Sequence, residues 1–330
     1  MTSGPLRIGV LGAARIAESA IVRPAAELGH RLVAVAARDG ARAGEFAEKF
    51  GVERVLDDYA AVIADPEVEV VYNPLANALH GPWNLAALRA GKPVLTEKPF
   101  SRNSIEAQKV ADVARERGLV VLEAFHYLFH PMMARTFELL REGTIGEIGD
   151  VEATMGMPQP PATDPRWSYD LAGGSLMDVG CYGLHVFRML HPFCGGPPEI
   201  TGAAAIVSDR DRLVDATSSV SVRYPNGARG HNSNSMLDDK FTFRLRISGS
   251  AGEVVIHDFL SPTRDNRLTV TTAAGTRVEH LPTRTTYTYQ LDAFAAAVRT
   301  GAELPIGLDD AIENMRYIDA AYRAAGLPPR

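Results

Sequence analysis

The feature that most limits how this chain can fold is an alternation running from Leu6 to about Ala124, in which short β-branched runs are each followed by a stretch of helical apolar period. That alternation is the mark of βαβ units on a parallel sheet. Strands are predicted at 7–12, 32–37, 52–56, 68–73, 93–96 and 119–123, with helices near 16–28, 41–50, 59–63, 82–90 and 105–115. The reading is a doubly wound α/β domain over residues 1–125. After Pro131 one helix, ending at Arg141, gives way to strand-like runs at 148–155, 200–207, 218–224, 241–248, 253–257 and 268–272. Strands at that density without intervening helices predict a large, mostly antiparallel sheet in an α+β domain over 126–330. Further helices are predicted around Leu184 and over 289–300 and 308–325, one of them able to pack back on the first domain.

The first strand ends in an informative turn. Ile8-Gly9-Val10-Leu11-Gly12-Ala13-Ala14-Arg15-Ile16-Ala17 reads strand, glycine turn, helix, which is the context a dinucleotide fingerprint requires. Gly12 takes the tight-turn position, Ala14 stands where a second glycine usually admits the pyrophosphate, and Ala17 serves helix–strand packing. Two of the three glycines are alanine, so a turn without a ligand is the competing reading. The helix N-terminus behind Gly12 favours a phosphate, offered the N–H groups of Ala13, Ala14, Arg15 and Ile16. At the end of the second strand Arg38 and Asp39 stand in tandem, the arginine suited to a 2′-phosphate and the carboxylate to ribose hydroxyls. The expected cofactor is NAD or NADP, with Arg38 tipping the balance toward NADP.

Two later segments are more specific: Val70-Val71-Tyr72-Asn73-Pro74-Leu75-Ala76-Asn77-Ala78-Leu79-His80, and Ala90 through Thr96-Glu97-Lys98-Pro99. With Gly173-Gly174-Ser175-Leu176-Met177-Asp178-Val179-Gly180-Cys181-Tyr182, they make the chain resemble the glucose–fructose oxidoreductase / inositol dehydrogenase / rhizopine-catabolism (GFO/IDH/MocA) family over nearly its whole length. The resemblance implies an N-terminal Rossmann domain and a C-terminal open-faced sheet that commonly forms the dimer contact. A homodimer or homotetramer is therefore expected. Asn73, Pro74, Asn77, His80 and Glu97 become cofactor-lining positions.

Lys98 is one of five lysines. It follows a strand at the sheet's C-terminal edge, where α/β enzymes bind ligands, and there it can bridge the nicotinamide ribose and a substrate hydroxyl and steady charge as hydride leaves. Family members use the matching lysine in this way; a surface lysine beside Glu97 is the plain alternative. Asp178 and Tyr182 lie at i and i+4, so on a helix they share one face. A phenol with an ordinary pKa near 10 can give a proton to a carbonyl under reduction. The competing reading is a core tyrosine and a capping aspartate. His126 and Tyr127 follow a strand where the family places pocket-lining polar residues, although its usual pattern there is rich in Asn and Arg. Arg166 and Trp167 resemble a loop over the active site, the arginine for hydroxyls and the tryptophan for a sugar ring, against a loop-packing role. The polar run His231-Asn232-Ser233-Asn234-Ser235 is read as part of a strand facing either the pocket or solvent, with solvent favoured, and Cys181 as a small buried apolar residue.

Charge and cysteine content exclude other classes. Lys+Arg of 34 against Asp+Glu of 40 leaves a net charge of −6 with no basic cluster, so nucleic acid is not an expected partner. Two cysteines make no disulfide framework, and no Cys-x-x-Cys or His-x-x-x-His spacing offers a metal site. The apolar opening from Ile8 to Ala14 is far too short to span a bilayer, and a cytoplasmic location is expected. The expected function is an NAD(P)-dependent oxidoreductase interconverting a secondary alcohol and a ketone on a sugar, aminosugar (including those of aminoglycoside antibiotics) or cyclic polyol. Lys98 and Tyr182 would handle the proton, and Asp178 would orient the substrate or Tyr182. The alternatives are a trans-dihydrodiol dehydrogenase and a non-catalytic NAD(P)-binding sensor.

Overall fold

The computed structural model describes residues 4–330. They divide into two compact units, the first comprising residues up to His126 together with Tyr287–Glu313, the second Tyr127–Thr286 together with Asn314–Arg330.

In the first unit, β1 (Arg7–Leu11), β2 (Arg31–Ala36), β3 (Val70–Asn73), β4 (Val94–Thr96) and β5 (Val121–Glu123) form one parallel sheet in the order β2-β1-β3-β4-β5. Their side chains are buried almost throughout, as expected for strands covered on both faces. The helices α1 (Arg23–Leu28), α2 (Gly40–Phe50), α3 (Tyr59–Ala64), α4 (His80–Arg89) and α5 (Ser104–Arg117) connect them. Several start where the sequence supplies a cap: Asp39 for α2, Asp58 for α3 and Asn103 for α5 each accept from first-turn N–H groups. The strand order reverses between β1 and β3, which opens a crevice at their carboxyl ends, where doubly wound sheets bind ligands. The predicted strand at 52–56 is only an isolated bridge between Val35 and Val55. Glu53 and Arg54 turn outward instead to pair with Arg31 and Asp65. After the second unit's sheet the chain supplies α8 (Thr286–Thr300) to the first unit. Thr288 donates to Glu27 at 3.0 Å, Arg299 pairs with Glu69, and the ring of Tyr287 lies against that of His126.

The second unit holds α6 (Pro131–Arg141) and α7 (Cys181–Met189), most of α9 (Leu308–Ala324), and eight strands. These are β6 (Ile148–Pro158), β7 (Glu199–Val207), β8 (Asp215–Arg223), β9 (Arg229–Asp238), β10 (Thr242–Gly249), β11 (Gly252–Ile256), β12 (Arg267–Thr272) and β13 (Gly275–His280), in the order β13-β12-β11-β10-β6-β9-β8-β7. Only β6 and β9 pair in parallel. The edge strand β13 is an addition to the predicted set. Gly275-Thr276-Arg277-Val278-Glu279-His280 is solvent-facing and has no buried stripe for periodicity to report, but Glu279 pins it to Arg135 of α6 at 2.8 Å. Along β9, burial alternates. The two readings of its polar run divide between the strand's faces: His231 is exposed, whereas Asn232 and Asn234 are buried beneath the segment leading into α7. Among the described residues, no helix is long and apolar enough to cross a membrane.

Candidate active site

In the first unit, the five connections that leave the carboxyl end of the parallel sheet carry the residues singled out by sequence. Gly12 has φ +95°, its N–H donates to the Ala36 carbonyl at 2.7 Å, and a Cβ there would lie 2.9 Å from Leu75 Cδ2. Only glycine meets both demands. Residues 13–16 then lead through a π turn, Glu18–Val22, into α1. The opening N–H groups of a helical segment have no acceptor within it, so Ala13, Ala14, Arg15 and Ile16 form a partly exposed rim suited to a pyrophosphate.

At the next turn Arg38 is exposed, while Asp39 directs Oδ1 at the N–H groups of Ala41 (3.0 Å) and Arg42 (3.4 Å). Asp39 is thus the cap of α2 through Oδ1. Sequence reasoning missed Arg42, whose Nη2 donates to the Ala13 carbonyl at 3.0 Å. Its signal was there to read: it stands four residues after Arg38 on the first turn of α2. Arg42 is thereby tethered to the glycine turn, and Arg38 stands exposed at the end of β2.

The turn after β3 is braced from within. Asn73 Nδ2 donates to the His80 carbonyl (3.2 Å) and to Asn84 Oδ1 (2.8 Å), and Asn73 Oδ1 accepts from Leu75 N–H at 3.3 Å. The ring nitrogens of His80 lie 2.7 Å from the Pro99 carbonyl and 2.9 Å from the Leu75 carbonyl. Asn73 and His80 are buried and brace the loop that carries Pro74, buried as well, and Asn77, which is partly exposed. Burial, helped by the Lys98 charge, pushes His80 down to about 4, so it is neutral at pH 7. Glu97 is buried and accepts from Tyr72 Oη at 2.9 Å. Lys98 follows, half-buried, with a cis bond to Pro99. His126 is buried, its ring centroid 4.0 Å from that of Tyr287.

In the second unit, a π turn (Leu176–Gly180) runs directly into α7. Asp178 lies in the π turn and Tyr182 in the first turn of α7, both buried, and Asn232 Nδ2 holds the Gly180 carbonyl from below at 2.9 Å. Such π insertions occur frequently at functional sites. The Arg166 Nε donates to Asp178 Oδ2 at 2.7 Å, while its Nη1 reaches Asp164 at 3.1 Å. The Asp178 charge first, then Asp164, holds Arg166 protonated above its ordinary range. Of its two readings, Trp167 matches the loop-packing one. Its Nε1–H donates to the Pro160 carbonyl, it packs with Val214, Ala216 and Met236, and the Arg210 guanidinium covers its ring at 5.2 Å. The tryptophan anchors the loop, and Arg166 is the group that loop delivers. Beside Tyr182 lies Tyr127, ring centroids 6.1 Å apart, with Tyr127 Oη and His185 Nδ1 at 2.6 Å. Sequence reasoning passed over His185, although it is three residues beyond Tyr182 on the same helix.

Residues 6–125 match the oxidoreductase family with an NAD-binding Rossmann fold, and residues 133–255 match the GFO/IDH/MocA C-terminal domain. The chain is 33% identical over 323 residues to a D-xylose 1-dehydrogenase (NADP(+)) of Haloferax volcanii, covering 97% of each. It is 32% identical to a dTDP-3,4-didehydro-2,6-dideoxy-alpha-D-glucose 3-reductase of Actinomadura kijaniata, covering 98% of this chain and 96% of that one. Among solved structures, a 3-ketoreductase from Actinomadura kijaniata in complex with NADP and TDP-benzene superposes with a TM-score of 0.88 at 31% identity, covering 97% of this chain and 98% of that one.

Proposed function

Because this chain belongs to the GFO/IDH/MocA family and is an NAD(P)-dependent oxidoreductase acting on CH–OH groups, we propose that it interconverts a hydroxyl and a carbonyl on a sugar, aminosugar or cyclic polyol, with NADP(H) preferred. The observation that carries the substrate reading is the buried helical segment on which Asp178, fixed by Arg166 at 2.7 Å, precedes Tyr182 by one turn. Names of relatives at full-length coverage, a xylose dehydrogenase and a keto-sugar reductase, point to the same substrate class. The preference for NADP rests on Arg38 and Arg42.

The bound nicotinamide supplies the hydride donor or acceptor. Tyr182 exchanges the proton of the reacting oxygen, Lys98 lowers that hydroxyl's pKa by its charge, and Asp178 accepts from a neighbouring hydroxyl. Arg166 holds the Asp178 carboxylate in place through its Nε–H, a narrower duty than direct substrate binding. The eight-stranded sheet, with Ile206 and Val278 exposed on its edge strands, is the surface through which a homodimer or homotetramer would form.

The test is a screen of aldoses, aminosugars, cyclic polyols, dTDP-linked keto sugars and an aromatic trans-dihydrodiol, run in both directions at 340 nm with each cofactor. Turnover of a sugar or polyol, faster with NADP(H), supports the proposal. Oxidation of the dihydrodiol alone would replace the substrate. Cofactor binding by fluorescence with no turnover of any compound would convert the reading to a sensor.

A further inference from the structure

The turn that opens the Asp178–Tyr182 segment is held by groups that sequence gave no reason to connect with it. Asp215, the first residue of β8, accepts at Oδ2 from Ser175 Oγ (2.8 Å) and from the Leu176 N–H (2.7 Å). It thereby caps the first turn from another element. Its Oδ1 accepts from Tyr322 Oη at 2.9 Å and from Arg330 Nη2 at 2.7 Å. The Arg330 Nε donates to the Gly173 carbonyl at 2.7 Å, and the guanidinium lies 3.8 Å from the centroid of the Tyr322 ring. Both charged side chains are 0% exposed.

An ion pair taken wholly out of water carries a large desolvation penalty, so it is poor evidence for stability as such. Its contacts here converge on one object: Gly173, Ser175 and Leu176 are all gripped, and Gly174 lies among the gripping groups. A Cβ on Gly174 would meet Asp215 Oδ1 at 2.1 Å, Tyr322 Oη at 2.7 Å and Arg330 Nη2 at 2.9 Å. The same network continues beneath the segment, where Ser218 Oγ donates to Asn234 Oδ1 at 2.7 Å and Asn232 holds Gly180. The turn is therefore fixed at its entry by Arg330 and Asp215, and three residues after Ser175 comes Asp178.

We propose that Arg330, through its buried pair with Asp215, is a positioning residue for the proton-transfer segment: it sets the entry turn so that Asp178 and Tyr182 take their working orientation. This inference rests on the assignment of Tyr182 above. A residue that acts through Tyr182 matters only while Tyr182 is working, which gives a test that a merely structural role would not pass.

Arg330→Ala is measured alone and in the Tyr182→Phe background, using the substrate with the highest rate in the screen. Expected is a fall in kcat of about 10²-fold in the otherwise native enzyme. Cofactor affinity should stay within twofold, and in the Tyr182→Phe background the further fall should be less than threefold. Methylguanidinium added to Arg330→Ala should restore part of kcat in the native background only. Equal losses in both backgrounds, or no loss in the native one, overturn the inference while leaving the Tyr182 assignment intact; full kcat in Tyr182→Phe alone overturns that assignment instead. If Arg330→Ala does not fold, Arg330→Lys takes its place in the cycle. It keeps a charge on Asp215 without the paired contact to Gly173, and a loss confined to the native background is again the expected result.

Discussion

At the scale of single residues, what already holds a side chain decides what it can still do. Asp178 is oriented by Arg166, and His80 is enclosed by two carbonyls and kept neutral, whereas Lys98 sits half-exposed at the sheet's edge. Lys98→Met should therefore lower kcat by a general acid–base factor of ~10²–10⁴ with cofactor affinity little changed, read by steady-state kinetics beside a fluorescence titration. Unchanged kcat would remove Lys98 from the chemistry. Arg38 and Arg42 divide a different task. A hydrogen bond to a charged group contributes about 1.5–3 kcal/mol, so Arg42→Ala and Arg38→Ala should each weaken NADP by roughly tenfold or more and NAD hardly at all. Because Arg42 also ties Ala13, a loss shared equally by both cofactors would mean that it holds only the glycine turn. Arg38 was readable from its place after β2. Arg42 was not read, because its role depends on α2 starting where Asp39 caps it.

At the scale of elements, the parallel sheet was legible because strands buried on both faces are written as runs of Val, Ile and Leu. Residues 52–56, Val-Glu-Arg-Val-Leu, are β-rich but carry two charges in mid-run, and Glu53 and Arg54 find partners that hold them outward, leaving only an isolated bridge. The edge strand β13 was invisible for the opposite reason, having no buried face. On β9 the residue types Asn232 and Asn234 concealed their burial: polar side chains read as surface until the carbonyl and hydroxyl that satisfy them are known. The Gly173-Gly174-Ser175 turn was recognisable as a motif, but the groups enforcing it, Asp215 and Arg330, lie 41 and 156 residues beyond Gly174. Gly174 has φ +131°, so Gly174→Ala should cost ~1–3 kcal/mol in backbone strain alone, beyond the clash with Asp215. Gly44, inside α2 with nothing within 4 Å of an added Cβ, should respond the other way, Gly44→Ala stabilising by ~0.5–1 kcal/mol. Thermal melts of the two variants check both signs, and a neutral Gly174→Ala would mean that the entry turn is not tightly held.

At the scale of the whole molecule, buried histidines make the fold sensitive to acid. His80 falls from an ordinary 6.5 to about 4 on folding, so the folded state favours the neutral ring. The stability this contributes is complete above about pH 6.5 and is lost as pH falls toward 4, roughly 3 kcal/mol over that window. His30, His130 and His257 are lowered as well, chiefly by burial, and act in the same direction. Urea melts at pH 7.5, 5.5 and 4.5 should show stability declining through the lower two values, and His80→Gln should flatten part of that decline. A slope unchanged in His80→Gln would assign the acid sensitivity to other groups. A different consequence follows from the first unit's borrowing of Tyr287–Glu313. A ribosome that has released β5 still has about 160 residues to add before α8 exists, which at 5–20 residues per second is roughly 10–30 s. For that interval Glu69, Glu27 and His126 wait without Arg299, Thr288 and Tyr287. The first unit is thus begun first and completed late, and the nascent chain, rather than the finished enzyme, is where chaperone dependence and damage from a slow or interrupted translation would be felt.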